Sequence, residues 1–354
     1  EDLVLESALN SIGSAERNII INNTEDFYAR MRLTARAGDN IFIESSQSKH
    51  PLMINTIYAL DNVSLYSPVG FRKGHQDGLN IKSNTLSLDA GRGAVGSPGG
   101  HIEIAEIGEE AGWLKLNADQ GIYLSKSQGD INLESLDLSQ GDLELNALDG
   151  DISFSSLKTA DGNISLTAFG SITNTNTDRE SKLTADNIYL KSNYGNIGSS
   201  RNSLEIDSSY NSSGLVSAEA VGDIYLTEMN GNFNTDRLYS KKGNISILSQ
   251  KSILNRGENY PLNFRSHNLS LHSIYGSLGE EDKKITVMAS GKMDFSAYYN
   301  QYIENESGFA LTGDNDGQKH SLGRSALILP LYVNRMPVLN EFELELFNTD
   351  AYFE

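Results

Sequence analysis

The chain has no cysteine, only six prolines and a single tryptophan among its 354 residues. Without cysteine it forms no disulfide, no thiolate metal site and no thiol nucleophile. No apolar run approaches the ~20 residues that a membrane-spanning helix needs, so we expect no membrane insertion. Basic residues are also few: 28 Lys and Arg stand against 47 Asp and Glu, for a net charge of −19. This balance argues against nucleic acid as a partner, because nucleic acid is bound through clustered Lys and Arg.

Glycine is plentiful, with 32 residues, and helical periodicity is nearly absent. Because a glycine inside a helix costs about 1 kcal/mol relative to alanine, this composition favours strands and turns. A long internal repeat is also present: an apolar-x-apolar segment, then an apolar-Gly pair, then a second apolar-x-apolar segment. The four copies occupy residues 3–21, 86–104, 188–206 and 269–287, and their apolar-Gly pairs are Ile12-Gly13, Val95-Gly96, Ile197-Gly198 and Leu278-Gly279.

A finer period of 20 or 21 residues separates short segments that alternate apolar and polar positions. Alternation with period two is the pattern of a strand with one buried face, and the intervening Gly-Asp and Gly-Asn pairs are turn residues. A β-sandwich has no reason to keep such a period, whereas a parallel β-helix stacks one coil per repeat. The sequence therefore predicts an all-β parallel β-helix with coils of about 20–21 residues. The segments that define the period begin at Ile122, Leu143 and Ile164, at Ile131, Ile152 and Ile172, at Ile224 and Ile245, and at Phe233 and Ile253.

The phrases NIYLKSNYGNIGSSRNSLEI, GDINLESLDLSQGDLELNALDGDISF and GNISLTAFGSITN resemble the repeat region of filamentous-haemagglutinin-type large exoproteins. These are secreted adhesins of two-partner and related bacterial secretion systems. The resemblance implies a right-handed parallel β-helix, export from a Gram-negative cell to its surface or surroundings, an outer-membrane secretion partner, and a role in adhesion and biofilms. The Asn-Pro-Asn motif of the family's secretion domain is missing, so the resemblance places this piece further along a longer chain.

The repeat divides the chain into two parts. Residues 1–290 are predicted to form the β-helix, with a lateral loop at about 44–79 that contains Pro51 and Pro68. Residues 291–354 depart from the repeat and are expected to form a C-terminal cap, since an open strand edge invites aggregation, or else a small distal module.

The best candidates for a ligand-binding surface are Tyr298, Tyr299 and Tyr302, with Tyr275 nearby, because aromatic rings stack on sugar faces. Packing within the core or the cap is the alternative for these tyrosines. Asp314 and Asp316 resemble the middle of a calcium loop but lack its first ligand and its distal Glu, so a solvated hairpin tip is the alternative to a weak calcium site. No motif for another metal, a cofactor or a catalytic residue is present.

These observations predict a non-enzymatic segment of a secreted adhesin or exoprotein. Its β-helix would act as a stiff spacer, and its partner would be a cell-surface receptor, a glycan or another surface. A carbohydrate-active β-helix enzyme, of the polysaccharide lyase or glycosidase type, and a carbohydrate-binding module are the alternatives. Most acidic residues occupy turns or alternate outward in strands, which gives no sign of carboxylates that converge on a substrate.

Overall fold

A computed structural model describes residues 2–21, 31–75, 78–107, 112–176, 180, 182–209 and 214–307. Within these residues the chain is all-β, and parallel strands stack as a β-solenoid of about 12 turns with about 22 residues per turn. The predicted fold class is thereby confirmed.

The strands of the described residues form three parallel sheets with 16, 5 and 9 strands. The first sheet runs along the whole solenoid and contains β1 (Asp2–Ser7), β3 (Arg32–Ala37), β5 (Leu52–Ala59), β7 (Phe71–Lys73), β8 (Ile81–Lys82), β10 (Ile102–Ala105), β12 (Ile122–Lys126), β14 (Leu143–Ala147), β16 (Ile164–Ala168), β19 (Ile188–Ser192), β21 (Val216–Ala220), β23 (Phe233–Ser240), β25 (Ile253–Asn255), β26 (Phe264–Ser266), β28 (Ile285–Ala289) and β30 (Ile303–Asn305).

The other two sheets follow one another along the stack. The second sheet covers the N-terminal coils and contains β2 (Ile19–Ile20), β4 (Ile41–Glu44), β6 (Asn62–Tyr66), β9 (Thr85–Asp89) and β11 (Leu114–Asn117). The third sheet covers the remaining coils and contains β13 (Ile131–Leu138), β15 (Ile152–Thr159), β17 (Ile172–Asn174), β18 (Leu183–Thr184), β20 (Leu204–Asp207), β22 (Ile224–Glu228), β24 (Ile245–Ser249), β27 (Leu269–Ser273) and β29 (Met293–Ala297).

Residues that are one predicted period of 20 or 21 positions apart pair with each other in successive coils. Ile122 pairs with Leu143 and Leu143 with Ile164 in the first sheet. The third sheet shows the same arrangement, since Ile131 pairs with Ile152 and Ile152 with Ile172. All six side chains are fully buried, so a residue repeated once per coil builds a continuous apolar column inside the solenoid.

The Gly-Asp and Gly-Asn pairs have a structural role at the turn that leads from the first sheet to the third. There, in each coil, a side-chain oxygen of an Asp, Asn or Ser accepts a hydrogen bond from a backbone N–H of the next coil, 20 to 27 residues further along the chain. We call this series the turn ladder. It joins Asp130, Asp151, Ser171, Asn196, Asp223, Asn244, Asn268 and finally the N–H of Lys292.

The four copies of the long repeat mark four equivalent tight turns. The glycine of each apolar-Gly pair has a positive φ between 65° and 76°. A Cβ atom at any of these glycines would lie 2.4–2.6 Å from a backbone oxygen of the following coil. Both the conformation and the close approach therefore require glycine. The facing oxygens belong to aromatic residues in every case, opposite Gly13, Gly96, Gly198 and Gly279 respectively: Phe42, Tyr123, Tyr225 and Tyr302.

Two predicted boundaries need correction. The lateral loop expected over 44–79 is wrong for most of its length, because β5, β6 and β7 lie within it and pair with their neighbours in the stack. Pro51 immediately precedes β5, and Pro68 lies in the turn after β6, where neither removes a hydrogen-bond donor that a sheet needs.

The predicted end of the solenoid at residue 290 is also too early. β29 and β30 continue the stack to Asn305, with β29 paired to β27 and β30 to β28. The rest of the predicted cap over 291–354, residues 308–354 with Asp314 and Asp316, lies outside the described residues.

Candidate functional site

Three exposed tyrosines meet at one turn of the last coils. Tyr275 follows β27, and Tyr298 and Tyr299 follow β29 at the corresponding turn one coil later. Their exposed fractions are 61%, 44% and 58%. The ring centroids of Tyr275 and Tyr298 are 6.5 Å apart, and those of Tyr298 and Tyr299 are 4.8 Å apart with the rings edge to face. We call these three residues the tyrosine corner, a name that refers here only to this turn and not to the motif of the same name in β-sandwich proteins.

The tyrosine corner is fixed by the stacking of the coils. The N–H of Tyr275 donates to the carbonyl oxygen of Gln250, and the N–H of Tyr299 donates to that of Gly276. The strands before the two turns, β27 and β29, pair over their whole length. The rings are thus displayed on a rigid backbone, so that ordering them around a ligand costs little entropy.

Tyr302 lies elsewhere in the coil and has a different environment. Its N–H donates to the carbonyl oxygen of Leu278, and its own carbonyl oxygen accepts from the N–H of Ile285. It is the aromatic residue that faces the repeat glycine Gly279, as Tyr123 faces Gly96. Of the tyrosines predicted from the sequence, the structure therefore brings Tyr298 and Tyr299 together with Tyr275 and places Tyr302 opposite the turn at the repeat glycine Gly279.

His272 lies between two serine hydroxyl groups of neighbouring strand positions. Its Nε2 atom is 2.6 Å from the Oγ of Ser270, and its Nδ1 atom is 2.6 Å from the Oγ of Ser296. Burial lowers the pKa of His272, and the nearby carboxylate of Asp294 opposes this effect.

Ser270, His272 and Asp294 do not have the arrangement of a Ser-His-Asp catalytic triad, which is a relay of hydrogen-bonded groups for acyl transfer. In such a relay the carboxylate contacts the ring nitrogen opposite the nucleophile. Here the Oδ2 of Asp294 is 3.6 Å from Nε2, the same nitrogen that contacts Ser270. Ser270 and His272 also lie within β27, whose backbone pairs with β24 and β29, so no pair of free N–H groups beside them could bind an oxyanion.

Glu228 is a buried carboxyl group that sequence reasoning missed. It ends β22 at a core-facing position, beside Ile206 on one side and Ser249 on the other. Its side chain is fully buried. The hydroxyl and the N–H of Ser208 donate to its Oε2 at 2.6 and 3.2 Å, and the N–H of Asn230 donates to its Oε1 at 3.4 Å.

Burial raises the pKa of Glu228 to about 8, with a smaller contribution from the charge of Asp207, although hydrogen bonds from Ser208 and Asn230 oppose the rise. A carboxyl group with this pKa is mostly protonated at neutral pH. Its place inside the solenoid makes it a structural group. The sequence does contain a sign of this group. Glu228 occupies a repeated position at which the following coils have the small residues Ser249, Ser273 and Ala297.

Over the described residues no group of three or more His, Asp or Glu side chains is arranged to hold a metal ion. The same part of the chain contains no helix that could span a membrane. Comparison of the chain with family models, with curated proteins and with solved structures gave no match.

Proposed function

We propose that this protein is a non-enzymatic β-helical segment of a secreted, cell-surface adhesin or exoprotein, in which the solenoid is a stiff spacer that presents a glycan-binding surface. The observation that carries the proposal is the tyrosine corner, where three exposed rings contact one another on a paired backbone. The sequence resemblance to filamentous-haemagglutinin-type exoproteins supports export, an outer-membrane secretion partner and an adhesive role.

The solenoid has the properties of a spacer. Its strands pair coil by coil from β1 to β30 in the first sheet, and the turn ladder adds a hydrogen bond at each of seven successive turns. Since each coil contacts only its neighbours, the stack extends in one direction at about 4.8 Å per coil. Such a rod holds a ligand-binding surface at a fixed distance from whatever anchors it.

The chemistry of the tyrosine corner fits a sugar. An aromatic ring offers an apolar face to the C–H groups of a pyranose, and the phenol hydroxyl offers a hydrogen bond to its hydroxyls. Lys251, at the equivalent turn one coil before Tyr275, is the only charged residue in the adjoining turn segments 250–252, 274–277 and 298–300. A neutral glycan is accordingly the ligand that we propose for this corner.

A glycan array tests this proposal directly. The wild-type chain should retain a set of neutral glycans, and the double variant Tyr275→Ala/Tyr299→Ala should lose at least about tenfold in affinity for them, as expected when two stacked rings are removed. Tyr189→Ala is the matched control, because Tyr189 is 42% exposed on the outer face of the first sheet and lies far along the stack. Unchanged binding by the double variant would refute the role of the corner.

The non-enzymatic part of the proposal has its own test. The glycans retained on the array are incubated with the wild-type chain and examined for new reducing ends and for unsaturated products. We expect neither to form. Product that accumulates in proportion to protein concentration would favour the alternative of a carbohydrate-active enzyme.

A further inference from the structure

A second aromatic surface lies on the outer face of the first sheet and includes two arginines. The Cζ atom of Arg237 lies 5.1 Å from the ring centroid of Tyr239 and 4.8 Å from that of Tyr260. The Cζ atom of Arg265 lies 5.3 Å from the ring centroid of Tyr239. Two guanidinium groups thus share one tyrosine ring, and one of them also contacts a second ring. We call these four residues the arginine–tyrosine patch.

The fold assembles this patch from separate parts of the chain. Arg237 and Tyr239 are two residues apart on β23, so they lie on one face of the strand. β26 pairs with β23 in a register that sets Arg265 beside Tyr239. Tyr260 comes from the segment 256–263, which leaves the first sheet between β25 and β26.

Neither guanidinium group is neutralised by the part of the chain that the structure describes. Other cations there form ion pairs, as Arg256 does with Glu280 and Lys73 does with Glu103. No such ion pair forms at Arg237 or Arg265 with any described carboxylate. This holds although Glu219 is the register neighbour of Tyr239 on β21.

The patch also lies in a basic part of an acidic chain. Residues 237–292 contain nine Lys and Arg against four Asp and Glu, whereas the whole chain has a net charge of −19. Lys241 and Lys242 come two and three residues after Tyr239, at the turn that follows β23, and both are exposed. The local charge therefore favours a negatively charged ligand.

The geometry points to a binding site for an anionic polysaccharide. A guanidinium group that stacks on a ring through its face keeps the N–H groups at its edge free, and these match carboxylate or sulfate oxygens in pairs. Tyr260 is 45% exposed and offers its ring to a sugar. Arg237 and Arg265 bind the oxyanions, and the rings hold the guanidinium groups in place. This site is separate from the tyrosine corner and does not depend on it.

Titration calorimetry with three polymers tests the inference. The probes are polygalacturonate, which offers carboxylates, dextran sulfate, which offers sulfates, and neutral dextran. We expect the wild-type chain to bind at least one anionic polymer, more weakly as salt is raised. The variant Tyr275→Ala/Tyr299→Ala, which lacks the tyrosine corner, should bind the same anionic polymer but not dextran. Comparison of the two anionic probes shows which oxyanion is preferred.

Three variants identify the residues responsible. The double variant Arg237→Gln/Arg265→Gln should bind the anionic polymer at least about tenfold more weakly, since each charged hydrogen-bonding group is lost. Arg36→Gln is the matched control, because Arg36 lies 5.2 Å from the ring centroid of Tyr58 on the same sheet and no second arginine of the described residues lies over that ring. Tyr275→Ala/Tyr299→Ala should leave polyanion binding unchanged, so the two binding surfaces fail or succeed independently.

The inference is overturned if neither anionic polymer binds, or if the Tyr275→Ala/Tyr299→Ala variant binds dextran as well as it binds them. It is also overturned if the double arginine variant binds like the wild type. Weaker binding by Lys241→Gln/Lys242→Gln in that case would show that the anionic polymer binds to the exposed lysines instead. Far-UV circular dichroism of each variant checks that the solenoid is intact.

Discussion

The substitution Glu228→Gln offers a quantitative test of the buried carboxyl group. The folded chain raises the pKa of Glu228 from 4.5 to about 8, mainly through burial. Folding therefore favours the protonated form, which the neutral glutamine amide imitates in size and hydrogen bonding. At about 1.4 kcal/mol for each pKa unit, the rise in the pKa of Glu228 makes the free energy of unfolding about 5 kcal/mol larger when the carboxyl group is protonated in both states than when it is ionised in both.

The direction in which stability changes with pH follows from the linkage between proton binding and folding. Because the folded state holds this proton more tightly than the unfolded state, the stabilisation is fully present below about pH 4.5 and is lost as the pH rises towards 8. The wild type should lose up to about 5 kcal/mol across this window, whereas Glu228→Gln should lose none of that amount. At pH 8 the variant should be the more stable protein, and near pH 4.5 the two should be similar.

Urea unfolding followed by circular dichroism at several pH values measures the effect, with the midpoint as the readout, because stacked coils need not unfold in one step. Glu134→Gln is the control, since Glu134 is exposed on β13 and its substitution removes one acidic charge in the same way. Parallel pH curves for the wild type and Glu228→Gln would refute the reasoning. So would a variant that is less stable at every pH, because Glu228 would then be needed in its ionised form.

Two further predictions concern the turns. Gly96→Ala should destabilise the chain by clearly more than Gly99→Ala. Both glycines have a positive φ, which costs alanine about 1–2 kcal/mol. A Cβ atom at Gly96 would in addition lie 2.5 Å from the carbonyl oxygen of Tyr123, whereas a Cβ atom at Gly99 would contact nothing within 4 Å. Equal shifts of the thermal unfolding midpoint would show that the approach of the coils is unimportant. Asn244→Ala should cost about 1–3 kcal/mol, because its Oδ1 accepts from both the N–H and the side-chain amide of Asn268, at 3.2 and 2.7 Å. A urea midpoint equal to that of the wild type would contradict a stabilising turn ladder.

Much of the fold could be predicted because its main interactions repeat at one spacing. The predicted segment starts Ile122, Leu143 and Ile164 are the first residues of β12, β14 and β16. Prediction was weaker where the spacing between coils changes. Ile164 pairs with Ile188, 24 residues later, and Ile188 with Val216, 28 residues later, where the two earlier steps from Ile122 to Leu143 and to Ile164 suggest 21. A period in the sequence says nothing about how much chain leaves the sheet between two paired strands.

The candidate sites show the same division. Alternation predicts that one of two adjacent tyrosines faces solvent, but Tyr298 and Tyr299 are both exposed because they lie in a turn and not in a strand. Tyr302 looked equivalent to them in sequence, yet the stack places it opposite a repeat glycine. Its role depends on a contact with the neighbouring coil, which no local pattern in the sequence contains.

The sequence by itself determined the strands, the coil length and the turns. It did so because alternation, glycine and the Asp or Asn of each turn are local requirements that recur once per coil. Only the tertiary structure decided that Arg237 and Arg265 share the ring of Tyr239, that Tyr260 reaches the same place, and that Glu228 is buried. These relations join residues of different coils, and the register and the excursions that create them are set by packing along the whole stack.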